Sequence, residues 1–415
     1  MRKMKDSGIE WIGKIPENWN IKQIKTIAKI YNGKEIEEEL DCNDPNSIRV
    51  FGSGGVFKYT NKPLYKGEAV LFGRKGTIGK PMIASGEFWT VDTMYYSVCN
   101  QENDNRFLYY ILTVFPWEPF TTQTALPSVV ATEIFRNSIG VPSLSEQKKI
   151  ADFLDGKCAD IDQIKADIEK QIEILTDYKK SVITEAVTKG LDPKVKLKDS
   201  GIEWIGKIPN GWKTLKVKYL ATEPDSLFTD GDWINSDIIT EEGVRYLTSG
   251  NVGEGYFKKQ GDGYISQETF DQLHCLKALP NDLMICRLNL PIGRSCIIPN
   301  DEPFYVVAVD NVILRPNHDI DKKFIMYCMN TPGYAAEAEM AAGGTTMKRI
   351  SRTDLGNLIV PIPSLEEQLA IASYLDEKCS EIDATITEKQ KQLETLEEYK
   401  KSLIFEYVTG KKEVV

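Results

Sequence analysis

The chain has 415 residues, enough for two or three domains, and its composition is globular, with 41% hydrophobic and 27% charged residues. No apolar run approaches the length of a membrane span, and Met1 leads into charged residues rather than a signal peptide. The net charge of −10 argues against a protein that grips nucleic acid by charge alone, although most excess acid falls in the second half and in two helical stretches, leaving room for local basic patches.

In chain order, the first informative block is residues 5–16, KDSGIEWIGKIP, which recurs without change at 198–209. Trp19 and Trp212 follow at the same spacing. Between Arg49 and Val98, β-branched and aromatic residues alternate with glycine turns, a pattern of strands and hairpins. Helical patches at 105–115 and 322–330 are expected to pack against such sheets. From Pro142 to Gly190 the sequence reads as one long helix with cap candidates Ser143 and Ser145, no proline after them, and Gly156 as the only interior glycine. Ile161, Ile164, Ile168, Leu175, Tyr178 and Val182 give it a coiled-coil seam. From Glu146 to Lys189 such a helix would span about 66 Å, so it needs a partner along its length.

Residues 363–411 supply that partner. PSLEEQLAIASYLDEKC answers PSLSEQKKIADFLDGKC, and EEYKKSLIFEYVT answers TDYKKSVITEAVT, with a seam at Ile382, Ile386, Leu393, Leu396, Tyr399 and Leu403. The repeat offset is 193 residues at the first block and 221 at the helices, so the intervening region is 28 residues longer in the second copy. Weaker echoes link the variable regions: Ile78-Gly79-Lys80 with Ile292-Gly293-Arg294, and Val91-Asp92-Thr93 with Val309-Asp310-Asn311. The expected architecture is α+β, two globular heads and two long antiparallel coiled-coil helices in an internal pseudo-two-fold repeat. The divisions are 1–143 for head one, 144–190 for the first helix, 191–361 for head two and 362–415 for the second helix.

No catalytic constellation emerges. Residues 73–80, GRKGTIGK, depart from a phosphate loop because arginine stands where the first glycine should and Pro81 replaces the Ser or Thr. Residues 52–55, GSGG, lack the third glycine of a dinucleotide fingerprint. No Asn-Pro-Pro-Tyr or Asp-Pro-Pro-Tyr stretch is present to hold a flipped base. Eight cysteines show no Cys-x-x-Cys spacing, and His274 and His318 are the only histidines, so neither metal nor cofactor is expected, and the setting is a reducing cytoplasm. Cys158 and Cys379, at equivalent helix points, read as buried thiols, and Trp11 and Trp204 as structural anchors.

Two variable regions, each entered through Gly-Ile-Glu-Trp-Ile-Gly-x-Ile-Pro-x-x-Trp and left through Pro-Ser-Leu-x-Glu-Gln-x-x-Ile-Ala and a helix bearing Tyr-Lys-Lys-Ser, resemble the specificity subunit of type I restriction–modification systems. The resemblance covers essentially the whole chain. It implies a non-catalytic DNA-reading subunit whose two target recognition domains each read half of a bipartite asymmetric site in double-stranded DNA. It also implies that the helices set the gap between half-sites and dock two methyltransferase (modification) subunits, which bind S-adenosylmethionine. ATP-dependent restriction subunits, which translocate DNA, join that core. The alternative from the residues alone is a stand-alone DNA-binding coiled-coil scaffold.

The side chains expected on DNA combine glycine-turn exposure with donors: Arg74, Lys75, Thr77 and Lys80 in head one, and Arg287, Asn289 and Arg294 in head two. The threonine segments add Thr121, Thr122 and Gln123, and Thr345, Thr346, Lys348 and Arg349. The competing reading is that these are ordinary solvated loops. For the methyltransferase, Tyr178, Lys179, Lys180, Tyr399, Lys400 and Lys401 are the candidate surface, because two copies of one partner need two similar faces. The competing reading puts both tyrosines in the seam and leaves the lysines solvated.

Overall fold

The structure, a computed structural model, describes residues 2–261, 263–344 and 347–414. It divides into two compact units, residues 1–170 with 389–415, and residues 171–388. Each unit therefore owns one head and a part of each long helix.

The repeated block forms the same scaffold in both units. Met4–Asp6 pairs antiparallel with Lys14–Pro16, and Leu197–Asp199 pairs with Lys207–Pro209 in the matching register. A second ribbon joins Asn20–Gln23 to Ser138–Val141, and Lys213–Lys216 to Ile359–Ile362, so the entry and exit of each head lie side by side. Trp19 and Trp212 are fully buried beside these ribbons, and each indole N–H donates at 3.2 Å to a glutamate of the following helix, Glu146 or Glu367. Trp11 packs edge-on against Phe115, and Trp204 against Tyr334, as anchors of their heads.

Each head holds two small sheets. In head one, Ala28–Asn32, Met94–Cys99, Ala69–Gly73 and Met82–Ala84 form an antiparallel sheet in that spatial order. The second sheet runs Gly55–Thr60, Ile48–Gly52, Glu87–Thr90 and Tyr65–Lys66, with one parallel pair at its centre. Head two repeats the plan with Leu227–Asp230, Asn311–Arg315, Leu283–Cys286 and Ser295–Ile297, and with Tyr264–Ile265, Val244–Leu247 and Val306–Val307. The parallel pair recurs there as Val244–Leu247 with Val306–Val307. Helices Asn105–Val114 and Lys322–Met329, N-capped by Asp104 and Asp321, pack into the core of their head, the second buried on every side from Phe324 to Met329.

The long helices run Leu144–Lys189 and Leu365–Val408. The Pro-Ser-Leu-x-Glu-Gln motif explains their starts. Ser143 and Ser364 accept the amides of Glu146 and Glu367 at 3.3 Å, and Glu367 returns the bond to Ser364, a capping box. Gln147 and Gln368, both buried, accept the amides of Asp104 and Asp321 at 2.9 and 2.8 Å and donate back to the carbonyls of Pro142 and Pro363. One side chain thus ties the helix start to the cap of the head's own helix. Both helices end at a left-handed glycine, Gly190 and Gly410, and a Cβ at Gly410 would fall 2.4 Å from Pro16 Cδ.

The seam differs from the expected one at three positions. Ile164 and the two tyrosines Tyr178 and Tyr399 stand 48%, 49% and 55% exposed. The buried or half-buried positions are Cys158, Ile161, Lys165, Ile168, Ile172, Leu175, Lys179 and Val182 on the first helix, facing Cys379, Ile382, Ile386, Leu393, Leu396, Lys400 and Leu403 on the second. Three lysines therefore sit in or beside the seam, their stems covering apolar surface while their ammonium groups reach acids on the other helix. Lys179 meets Asp383 at 2.6 Å and Lys400 meets Asp162 at 2.7 Å, a mirrored pair at the same 221-residue offset, and Lys165 adds Glu397 at 2.5 Å. Cys158 and Cys379 are buried, and burial pushes both thiols above the ordinary value. Among the described residues, no helix is long and apolar enough to cross a membrane.

Candidate nucleic-acid interface

In each head the fold brings together two segments that the sequence separates, by 53 residues between Lys75 and Ser128 and by 61 between Leu288 and Arg349. In head one, the chain leaves strand Ala69–Gly73 into a loop that turns at Gly76, whose φ of 84° favours glycine. Lys75 bridges to Ser128, the Gly76 amide donates to Pro127 O at 2.9 Å, and the Val129 amide donates to Arg74 O at 3.0 Å. In head two, Asn289 takes the same left-handed turn at φ 60°, its amide donating to Lys348 O, while the Ile350 amide donates to Arg287 O and Leu288 bridges to Arg349. Two loops with unlike sequences are thus held by one backbone pattern.

Their side chains divide by environment. Lys75, Thr77, Lys80 and Gln123 are exposed and make no side-chain hydrogen bond or ion pair among the described residues. Arg74 is half-buried, its guanidinium 5.8 Å from the Tyr95 ring centre. Thr121 donates to Trp117 O at 2.9 Å, and the Thr122 hydroxyl accepts the Ser128 amide at 3.0 Å, so both help to shape the loop. In head two, Asn289 and Arg349 face solvent, Arg349 lying 3.1 Å from Asp310, and Lys348 pairs with Glu339. Thr345 and Thr346 lie outside the described residues.

Arg287 and Arg294 are both engaged by their surroundings. The Arg287 side chain is 7% exposed, lies 3.0 Å from Asp230 Oδ1 and donates to Val309 O. Burial pulls its guanidinium below the ordinary arginine value, with Asp230 opposing. The ion pair falls short of hydrogen-bond geometry, leaving Asp230 Oδ1 and Arg287 Nε without a hydrogen-bond partner among the described residues. Arg294 wraps its guanidinium onto five carbonyls, those of Ser249, Val252, Leu288, Asn289 and Pro291, at 3.0 to 3.3 Å. A guanidinium has five donors, and here they hold the loop together. Arg287 keeps unused donors but buries them, and Arg294 directs its guanidinium onto carbonyls, so neither presents a free fork to a base edge.

Sequence reasoning passed over Asp230, Asp310 and Arg352, which complete this charged cluster; Arg352 Nε lies 3.5 Å from Asp230 Oδ2. No short motif carries them, because the sheet and loop pairing alone bring them to Arg287. The partner-surface segments also separate. Lys179 and Lys400 are held in the inter-helix ion pairs, Lys180 pairs with Asp177 one turn back, and Tyr178, Tyr399 and Lys401 are exposed. Burial would lower the Lys400 ammonium, but the hydrogen bond and charge of Asp162 outweigh it and hold the group above its ordinary value.

Comparison with known proteins places this doubled architecture. The type I restriction modification DNA specificity domain matches residues 16–174 and again 209–397, once for each repeat. The MjaVIII type I restriction enzyme specificity subunit of Methanocaldococcus jannaschii is 27% identical, covering 96% of this chain and 94% of that protein. The EcoBI specificity subunit of Escherichia coli is 21% identical over 90% of this chain and 81% of its own length. In fold, a chain solved in work on assembly and conformational transition of the type I R-M system superposes with a TM-score of 0.68 at 14% identity, covering 95% of this chain and 98% of the other. The specificity subunit of Thermoanaerobacter tengcongensis gives 0.50 at 14% identity, covering 96% and 98%. The scaffold alternative is not favoured, since both matched segments take in a head and part of the helix that follows it. The chain belongs to the type I restriction–modification DNA specificity family, a recognition subunit rather than a catalyst.

Proposed function

We propose that the chain reads a bipartite, asymmetric sequence in double-stranded DNA, head one (1–143) taking one half and head two (191–361) the other. The observation that carries this reading is the loop pair built twice on one backbone pattern with different side chains. Equivalent frames present the loops, and unlike donors on them select unlike bases. The candidate contacts are Lys75, Thr77, Lys80 and Gln123 in head one, and Asn289, Lys348 and Arg349 in head two, with Arg74, Thr121, Thr122, Arg287 and Arg294 shaping the loops. Lysines and threonines hold phosphates, whereas glutamine, asparagine and arginine can bond base edges bidentately.

The long helices (144–190 and 362–415) set the gap between half-sites and dock modification subunits, two by the symmetry of the repeat, with restriction subunits joining in the full complex. The outward Tyr178 and Lys180, and Tyr399 and Lys401, are the docking positions that pairing leaves available. Because the chain carries −10 overall, its partners supply much of the phosphate grip. The test is methylome sequencing of a host expressing the chain with its modification subunit, repeated after exchanging residues 17–141 with 210–361. The expected result is one two-part motif whose halves trade places; unaltered specificity in a folded exchange refutes the assignment of heads to half-sites.

A further inference from the structure

The loop pairs carry a feature that donor chemistry does not use. Leu126 in head one and Met347 in head two are both 58% exposed. They are equivalent by sequence offset and by structure, since each immediately precedes the residue whose carbonyl accepts the left-handed amide, Pro127 for Gly76 and Lys348 for Asn289. A single exposed apolar side chain needs no explanation. The same exposure at the same place in two heads of unlike sequence does, because neither tip rests on the core that its loop covers. In head two, Leu290 and Met340 are exposed as well, at 57% and 78%, each next in sequence to a residue bonded to Lys348, the neighbour of Met347.

We infer that Leu126 and Met347 are specificity-determining tips that pack on the 5-methyl group of thymine in the major groove. The inference rests on the proposal that these loops face base edges, and it names the base class they prefer. Among the groups a duplex presents, phosphates and sugars reward donors, whereas the thymine methyl is the sequence-specific apolar contact. The donors beside each tip, Lys75 and Gln123 in head one and Asn289 and Arg349 in head two, fit a groove that mixes one methyl with polar edges. A long, unbranched methionine and a leucine can reach it without backbone change.

The test uses the complex of the full chain with its modification subunits on duplexes carrying its recognised sequence, with uracil replacing thymine one position at a time. Losing one buried methyl lowers affinity about fourfold. The expected result is such a loss at one or more positions in each half-site. Met347→Ala should abolish the uracil sensitivity only in the half read by head two, and Leu126→Ala only in the other. Uracil tolerated at every position by a complex that still rejects a scrambled duplex overturns the inference while leaving base reading intact. A half-site without thymine on either strand overturns it for that head. Loss of modification subunits on Met347→Ala, with uracil tolerated, assigns the patch to a protein contact and also overturns it. A scrambled duplex bound as tightly as the recognised one removes the underlying proposal instead.

Discussion

Arg287 tests whether a residue of the proposed reading surface shapes that surface or reads from it. Replacing it with alanine removes a side chain that is 7% exposed, leaves Asp230 to Arg352 at 3.5 Å, and strips Val309 O of its guanidinium donor. Deleting one partner of a buried ion pair costs about 3–5 kcal/mol. Arg352 stays close enough to compensate in part, so the lower end, about 3 kcal/mol, is the expected loss. For a unit of this size 1 kcal/mol shifts the midpoint by about 2–4 °C, so the transition assigned to residues 171–388 should fall by roughly 6–12 °C. Calorimetry of Arg287→Ala measures this, with Arg349→Ala as the exposed comparison. Methylation assayed well below the lowered midpoint should retain the base choice of the parent. An unshifted midpoint together with an altered second half-site would refute the argument from burial and restore Arg287 as a reader.

Three further outcomes follow from the helix pair. A double-mutant cycle with Asp162→Asn and Lys400→Met should give a coupling of about 0.5–1 kcal/mol in urea melts, because Asp162 is half exposed and solvent screens the pair; zero coupling would show that the mirrored bridges do not help to fix register. Gln147→Leu strands the Asp104 amide and the Pro142 carbonyl, each worth about 1–3 kcal/mol when buried, and Gln368→Leu should cost a similar amount in its own unit. A loss under about 1 kcal/mol in either would dismiss the tie between helix start and head. The hydrogen bond from Lys165 holds Glu397 below its ordinary 4.5, so its contribution is complete above that value and fades as pH falls through the lower folded one. Glu397→Gln should therefore melt earlier than the parent at pH 7, with the gap narrowing as pH falls below 4.5, while a gap that does not narrow in acid would locate the effect elsewhere.

The proposed docking surface has to be probed with these ion pairs in mind. Reversing charge at Lys179 or Lys400 breaks the helix pair's own bridges, so lost partner binding would be ambiguous. Substitutions at Tyr178, Lys180, Tyr399 and Lys401 avoid that, because these side chains are exposed and take no part in the three inter-helix ion pairs. Co-purification of the modification subunit with Tyr178→Ser and Tyr399→Ser reads the effect directly.

Repetition made the architecture legible in the sequence. KDSGIEWIGKIP and the Pro-Ser-Leu-x-Glu-Gln helices are local structures whose caps, ribbons and periodicity depend on neighbours in the chain, so their presence twice determined a doubled α+β protein with two long helices. The pairing of glycine loop with threonine segment was visible only as two separate suspicions. Which side chains the loops offer was decided by tertiary structure alone. Arg287 and Arg294 look like donors in a turn, yet one lies buried against Asp230 and the other bonds five carbonyls, three in its own loop and two from the distant stretch at Ser249 and Val252. The seam shows the same limit. A three-four spacing admits Tyr178 as readily as Lys179, and only the position of Asp383 on the opposite helix settles that the lysine turns inward and the tyrosine out. A periodic pattern fixes the stripe to within one residue, whereas the partner's charges choose the residue within it.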